Sequence, residues 1–418
     1  MTYVGCIVHM KIGLLAYHSA INFGANLQLL STFCYFSKQG IDTIIINWVP
    51  KDLEESYASN PIQVDVNRDF RRRYWKESAI CRTSQDVAKI IEEEQITAIV
   101  IGSDAVAQHH PLLERLRLSK RKLINISHPT SDRMFPNPFW GDFNQYLKHK
   151  RPIAVISASS QDSAFHLFSP FTKKRMFLCI KDYQYLSVRD SWTQKMFSYI
   201  SNGRIVPHVT PDPVFGFNEN ASHIITDREE LMRKFSIKGD YILYSFRKPS
   251  CISQAWLNSL ETLCHLHKIQ LVRLPFSDED SFGDTKSYIS YPLSPLDWYC
   301  LIKYSSGYIG NNMHPIIVSL HNCIPFFSFD NYGRKYFSGL FSSDGSSKIK
   351  HIVSKSGLSE NRVSCIGRYF TPPTPESVLT SLLHFDYDKS LAFSQRWNSE
   401  YGRMMTDVME ILRKNDSK

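Results

Sequence analysis

Two facing Rossmann-like α/β domains followed by C-terminal helices are predicted by three features of this 418-residue sequence. Short apolar strands alternate with amphipathic helices twice over. That alternation loosens once, around 218–227. Most strands end in a polar or charged tip, as happens when the carboxyl ends of parallel strands line a cleft. The length also exceeds one ordinary core and suggests two domains of roughly 150–200 residues each. The boundaries that follow are 10–222 for the first domain, 223–372 for the second and 373–418 for a helical extension.

The elements follow in order. Residues 11–16 read as a strand and 17–24 as a polar loop. A helix over 25–37 carries Leu27, Leu30, Phe33 and Cys34 on one face, and Gly40 stops it before a strand at 43–47. Residues 85–94 read as a helix, and 97–101 as a buried strand ending in Gly102-Ser103-Asp104. Two further strands, 153–158 and 185–188, follow, the second ending in Arg189-Asp190. After the linker come a strand at 241–246 ending in Arg247-Lys248, a helix at 253–267 and a strand at 270–274. A helix at 296–303 leads into the most informative stretch, YIGNNMHPIIVSLHNCIPFFSFD. There a buried strand over 306–309 is broken by Gly310-Asn311-Asn312, a helix opens at Met313-His314, and a strand follows at 324–329. A helix N-terminus at a strand's carboxyl end offers unpaired N–H groups to an anion, so a phosphate-bearing substrate is expected here. The tail holds two helices, the last over about 390–412.

Composition narrows the class. Hydrophobic content of 43% with 13% aromatic residues is that of a globular protein, and no apolar run reaches the length of a membrane span. The first ten residues lack a basic n-region, and Met10, followed at once by a strand, reads as a natural start. The nine cysteines are scattered with no CxxC pair, which predicts a reducing, cytoplasmic setting without disulfides or a zinc site. The net charge of +9 asks for an anionic partner, yet no nucleic-acid motif appears. The densest basic run, Arg68-Asp69-Phe70-Arg71-Arg72-Arg73-Tyr74-Trp75-Lys76, is either an exposed solvated face or a contact for anionic lipid headgroups or a diphosphate-linked acceptor.

Six short motifs, in order between 11 and 363, carry a family likeness. They are Asn22-Phe23-Gly24-Ala25-Asn26-Leu27-Gln28, Ile101-Gly102-Ser103-Asp104, Ser187-Val188-Arg189-Asp190, Pro211-Asp212-Pro213, the His314 segment with its following strand, and Gly357-Leu358 with Arg362. Together they resemble the polysaccharide pyruvyl transferase family. Two positions depart from that pattern: Asn311-Asn312 stands where the family usually has Ser, and Pro315 replaces a small residue after His314. Asn can still donate to a phosphate oxygen, and Pro is tolerated in a helix's first turn. The resemblance implies a GT-B-like pair of domains, the first serving the acceptor and the second the donor. It also implies transfer of a pyruvyl group from phosphoenolpyruvate to two hydroxyls of a sugar, giving a cyclic ketal. By the same analogy the acceptor is a hexose of a capsular or exopolysaccharide repeat unit, carried on a lipid diphosphate at the inner membrane face.

That chemistry needs a proton for the vinyl carbon, a grip on carboxylate and phosphate, and a base for the attacking hydroxyl. Histidine suits the proton transfers and arginine the grip. His314 and Arg189, one from each domain, are the leading catalytic candidates, with Asp104 as a base or acceptor-hydroxyl ligand. Asn22, Gly24, Ser103, Asn311, Asn312, Lys335 and Arg247 complete the substrate-binding set. No cofactor or metal is called for. Structural readings stand beside these: a packed histidine, Arg189 paired with Asp190 or Asp212, Asp104 capping a helix, Gly24 serving a turn and Lys335 in solvent. The rival function is a GT-B-type nucleotide-sugar glycosyltransferase. Such enzymes often hold the donor ribose with a Glu of the second domain, and no Glu occurs between Glu279 and Glu360.

Overall fold

The computed structural model describes residues 10–58, 60–117, 125–247, 251–336, 341–367 and 370–416. The stretch ahead of Met10 lies outside them. Strands β1 (Lys11–Leu15), β2 (Asp42–Ile45), β3 (Ala98–Ile101), β4 (Ile153–Ala158), β5 (Tyr185–Val188) and β6 (His208–Val209) form a parallel sheet in the order β2-β1-β3-β4-β5-β6. A second parallel sheet holds β7 (Tyr241–Ser245), β8 (Gln270–Arg273), β9 (Ser287–Tyr288), β10 (Gly307–Gly310), β11 (Phe326–Asp330) and β12 (Arg362–Ser364), in the order β9-β8-β7-β10-β11-β12. Strand order reverses between β1 and β3 and between β7 and β10. At such points connections leave on opposite faces and open a crevice at the carboxyl ends.

The longer helices are α1 (Phe23–Lys38), α2 (Pro61–Tyr74), α3 (Ser84–Glu93), α4 (Pro170–Ile180), α5 (Ser191–Ile200), α6 (Gln254–Leu266), α7 (Pro295–Lys303), α8 (Met313–His321), α9 (Lys348–Ser356), α10 (Pro375–Leu383) and α11 (Tyr387–Asp416). Along the first sheet, Leu14, Val100 and Ala154 enter one apolar cluster and Leu15, Ile101 and Val155 another. The alternation follows from the two-residue pleat, and a parallel sheet must be covered on both faces. The first of these clusters continues through α1 and α7 into the second domain, taking in Leu243, Tyr308 and Ile316. Phe23 meets Trp298 at 5.5 Å between ring centroids. Gln63 donates to the Leu293 carbonyl at 2.7 Å and accepts from its N–H at 3.0 Å. The two domains thus share one core on this side.

One expectation changes and two gain detail. The segment at 218–227 is not loose: Phe217, Asn220 and Ala221 are buried, and Asn220 donates to Ser31 and Tyr401. The tail holds its two helices, Pro375–Leu383 and Tyr387–Asp416, against the domains. The thirty-residue α11 returns to the first domain, where Met404 lies 3.4 Å from the Ser157 hydroxyl. Gly216 leaves room for the Tyr401 ring, which a Cβ would strike. In the basic run, Phe70 and Trp75 are buried and Arg71 turns inward to Glu77 at 3.4 Å. A helix of period 3.6 cannot expose every cation of a continuous run; Arg72 and Arg73 remain outside.

Candidate active site

Between the domains lies a two-lobed cavity. One lobe, about 350 Å³, is walled mainly by the second domain and includes Asn311, Asn312, His314, Asn331, Tyr332 and Lys348. The other, about 410 Å³, is walled mainly by the first and includes Tyr17, Tyr57, Asn60, Gln108 and Asp132. Asn22, Asp104, Gln161, Arg247 and Ser277 line both, so they mark where the lobes meet. Many wall residues follow the carboxyl end of a strand: Tyr17 after β1, Asp104 after β3, Gln161 after β4, Arg247 after β7, Asn311 after β10 and Asn331 after β11.

His314 sits in the first turn of α8, whose N-cap Asn312 makes no side-chain cap and so keeps its amide available. The Asn22 side chain caps α1 by accepting from the Ala25 N–H at 3.2 Å. That cap aims the first turn of α1 at α8, and Gly24 is there because a Cβ would fall inside the His314 ring. The ring is 94% buried by this packing, and its Nε2 has no hydrogen-bond partner among the described residues. Burial, helped by the Arg189 and Lys348 charges, pushes the imidazole down to about 4, although Asp104 and Asp212 pull the other way. At neutral pH it is therefore an uncharged base.

Asp104 occupies the left-handed region at φ 77° and caps no helix. Burial opposes its ionisation, but Arg189 foremost, with His314 and Lys348, holds the carboxyl at about 2. Arg189 donates from Nη2 to Asp104 at 3.0 Å and from Nη1 to Asp212 at 2.9 Å, with all three side chains buried. Gln28 also donates to Asp212, which in turn caps the Val214 N–H. The expected placement of Arg189 in the cleft is thereby corrected: its fork is spent on the protein's own carboxylates. It stands behind Asp104 and fixes it. Its neighbour Asp190 instead caps α5 through the Thr193 N–H at 2.7 Å.

The remaining candidates divide. Asn311, Asn312 and Arg247 line the donor-side lobe, Arg247 half-exposed, stacked 4.4 Å over Phe276 and paired with Asp278 and Glu279. Ser103 does not line either lobe; its hydroxyl donates to the Ser157 carbonyl at 2.9 Å, a backbone-tying role that corrects its substrate-binding assignment. Lys335 pairs with Ser342 through a short hairpin, but its side chain lies outside the described residues.

Sequence reasoning missed Lys348. It opens α9, is 92% buried, lies 5.0 Å from the Tyr332 ring centroid, and has no ion pair among the described residues. Ser347, a readable N-cap, could have marked the helix start, but nothing local says that this end faces the cleft. Behind it, Asp330 at the tip of β11 accepts from Ser347 and from Arg362 Nε at 2.7 Å and holds the Tyr332 N–H at 2.9 Å. Arg362 also reaches Asp344 at 2.7 Å. This explains the Arg362 motif as a brace for the lobe's floor. Among the described residues no group of three ligating side chains is set to hold a metal ion, and no helix is long and apolar enough to cross a membrane.

A model of the polysaccharide pyruvyl transferase family matches residues 22–332. No curated protein matches in sequence. In architecture the chain is similar to the UDP-GlcNAc 2-epimerase from Neisseria meningitidis bound to UDP-GlcNAc, with 11% identity, TM-score 0.54, and 97% of this chain and 100% of that one covered. It is also similar to the UDP-N-acetylglucosamine 2-epimerase from Rickettsia bellii, with 10% identity, TM-score 0.51, and coverage of 97% and 98%. At such identities the likeness speaks for the fold alone, two Rossmann-like domains arranged as in GT-B proteins.

Proposed function

Because this chain belongs to the polysaccharide pyruvyl transferase family, we propose that it transfers the pyruvyl group of phosphoenolpyruvate to two hydroxyls of one sugar, forming a cyclic ketal and releasing phosphate. The observation that carries the reading is the meeting in one lobe of Lys348, a cation with no ion pair among the described residues, and His314, a histidine whose Nε2 has no hydrogen-bond partner among them. A cation with no ion pair of its own, facing the cleft, is suited to an anionic donor. The N–H groups of Met313 and His314, which precede any intrahelical partner in α8, and the Asn311 and Asn312 amides are suited to phosphate oxygens.

Bound phosphoenolpyruvate brings negative charge to a neutral imidazole and raises its affinity for a proton. Protonated His314 gives that proton to C3 as the C2–C3 π pair forms the new C–H bond. The first sugar oxygen bonds to C2, and its proton returns to His314. The second hydroxyl then bonds to C2 as the C2–O bond to phosphate breaks, and its proton leaves with the phosphate. Asp104, ionised at the junction of the lobes, accepts a hydrogen bond from the incoming hydroxyl and orients it. Any contact of a lipid-linked acceptor's membrane with this protein falls to Arg72 and Arg73, not Arg71.

The test is thermal. Phosphoenolpyruvate at about 100 times its Kd should add roughly 2.7 kcal/mol of stability, and turnover with a glycoside panel should add one pyruvyl ketal by mass, unaffected by chelator. Stabilisation by UDP- or GDP-sugars with none from phosphoenolpyruvate would overturn the reading in favour of glycosyl transfer.

A further inference from the structure

We propose that the lobe on the first-domain side is an acceptor subsite for the hydroxyl groups of an uncharged sugar, read by Asp132 and Gln108. This rests on the pyruvyl-transfer reading and adds to it a substrate class and two specificity residues. Both side chains line the lobe, at 1% and 4% exposure, and each keeps one oxygen without a hydrogen-bond partner among the described residues. The other Asp132 oxygen accepts from the Tyr17 hydroxyl at 3.0 Å. The Gln108 amide nitrogen is engaged by His110 Nε2 at 2.8 Å, and His110 is held in turn by Glu114 at 3.4 Å. Among the sealed polar atoms of the residues that line this lobe, those left unsatisfied are therefore both acceptors, Asp132 Oδ1 and Gln108 Oε1.

A ligand that satisfies two acceptors must donate twice. Sugar hydroxyls do so; a carboxylate or phosphate oxygen cannot. An anionic sugar would also meet Asp104, Asp132 and Asp278 along the same wall. Of the two arginines there, Arg247 is committed to Asp278 and Glu279, and Arg133 lies half-exposed with its Nε 3.8 Å from Asp132. The two lobes thus differ, with Lys348 on the donor side and unsatisfied buried acceptors on the acceptor side. Tyr17 and Tyr57 also line the lobe, and aromatic rings suit the apolar side of a pyranose. The Asp132 loop is built to hold its place: the Asn137 amide donates to the carbonyls of Ser131, Asp132 and Met134, and Asp52 takes the Ser131 N–H at 2.7 Å.

The experiment measures binding of p-nitrophenyl β-D-galactopyranoside and of the corresponding galacturonide to the full chain, with phosphoenolpyruvate binding followed in parallel. The neutral glycoside should bind at least about ten-fold tighter than the uronide. Asp132→Asn and Gln108→Met should each weaken it by about ten-fold or more, the usual scale for a lost hydrogen bond to a buried group. Both variants should keep the wild-type thermal shift with phosphoenolpyruvate, which shows that they fold. Equal binding of the uronide, or unchanged galactoside binding in both variants, overturns the proposal. Failure of phosphoenolpyruvate to bind while the glycoside pattern holds would sink pyruvyl transfer and leave the subsite standing. Phosphoenolpyruvate binding with no binding of either glycoside would do the reverse.

Discussion

Gly24 borders the His314 ring so closely that even a methyl group has no place there. Gly24→Ala should therefore displace the imidazole, at an overpacking cost of about 1–3 kcal/mol. Turnover should fall further than the melting temperature suggests; a variant with normal kinetics would show that the ring's position does not matter. Lys348→Met separates function from stability more sharply. Removing a cation that makes no ion pair should leave the melting temperature nearly level, while the Kd for phosphoenolpyruvate rises about ten-fold or more. If calorimetry finds the affinity unchanged, Lys348 is not a donor ligand. Arg189→Ala belongs to a different class, because it leaves Asp104 and Asp212 buried without their cation. A loss of roughly 3–5 kcal/mol in denaturant unfolding is expected, and near-wild-type stability would contradict the bracing role.

The same bracing recurs in whole elements. Asp330 at the tip of β11 ties together the Tyr332 turn, the Ser347 cap of α9 and Arg362 on β12. Arg362 touches neither lobe, yet Arg362→Ala should loosen the floor on which Tyr332 and Lys348 stand. The KM for phosphoenolpyruvate should rise several-fold with little change in acceptor affinity, and an equal loss on both sides would point to general unfolding instead. The α2 run makes an element-scale point of another kind. Its cations are sorted by helical phase, so vesicle binding in low salt should depend on Arg72 and Arg73 and be indifferent to Arg71→Gln, apart from the lost Glu77 pair.

Across the whole molecule, acid should be the weak flank. Burial holds His314 and His109 down at about 4, and burial with the Lys303 charge holds His321 at about 3. In the unfolded chain each takes up its proton near pH 6.5. Between pH 6.5 and about 4 the unfolded state thus binds more protons, so stability falls as pH falls through that window. For His314 alone the shift corresponds to roughly 3 kcal/mol, at about 1.4 kcal/mol per unit. The melting temperature should drop steeply below pH 6, and a His314→Gln variant should show a shallower slope. A flat profile between pH 7 and 4.5 would mean that these rings are not buried as neutral bases. Because His314 lies in the cleft, saturating phosphoenolpyruvate should flatten the same slope.

Much of the strand–helix alternation and the strand tips were legible from the chain alone, because they are set by short-range physics. Pleat and helix periods and the break at Gly310-Asn311-Asn312 act within a few residues, whereas α4, α5 and α9 went unread. His314, Asp104, Asn311 and Asn312 could be placed at a cleft on that basis, since carboxyl ends of parallel strands gather there. What the sequence could not rank was partnership. Arg189 and Lys348 are both cations beside polar residues, yet one is consumed by Asp104 and Asp212 while the other faces the cavity unpaired. Asp132 and Gln108, in a stretch that matched no local pattern, gained meaning only once Tyr17 and His110 had taken half of their hydrogen-bonding capacity. Whether a charge is satisfied depends on atoms brought close by strand order and by the docking of α1 against α7 and α8. Those contacts span most of the chain, so only the tertiary structure could decide them.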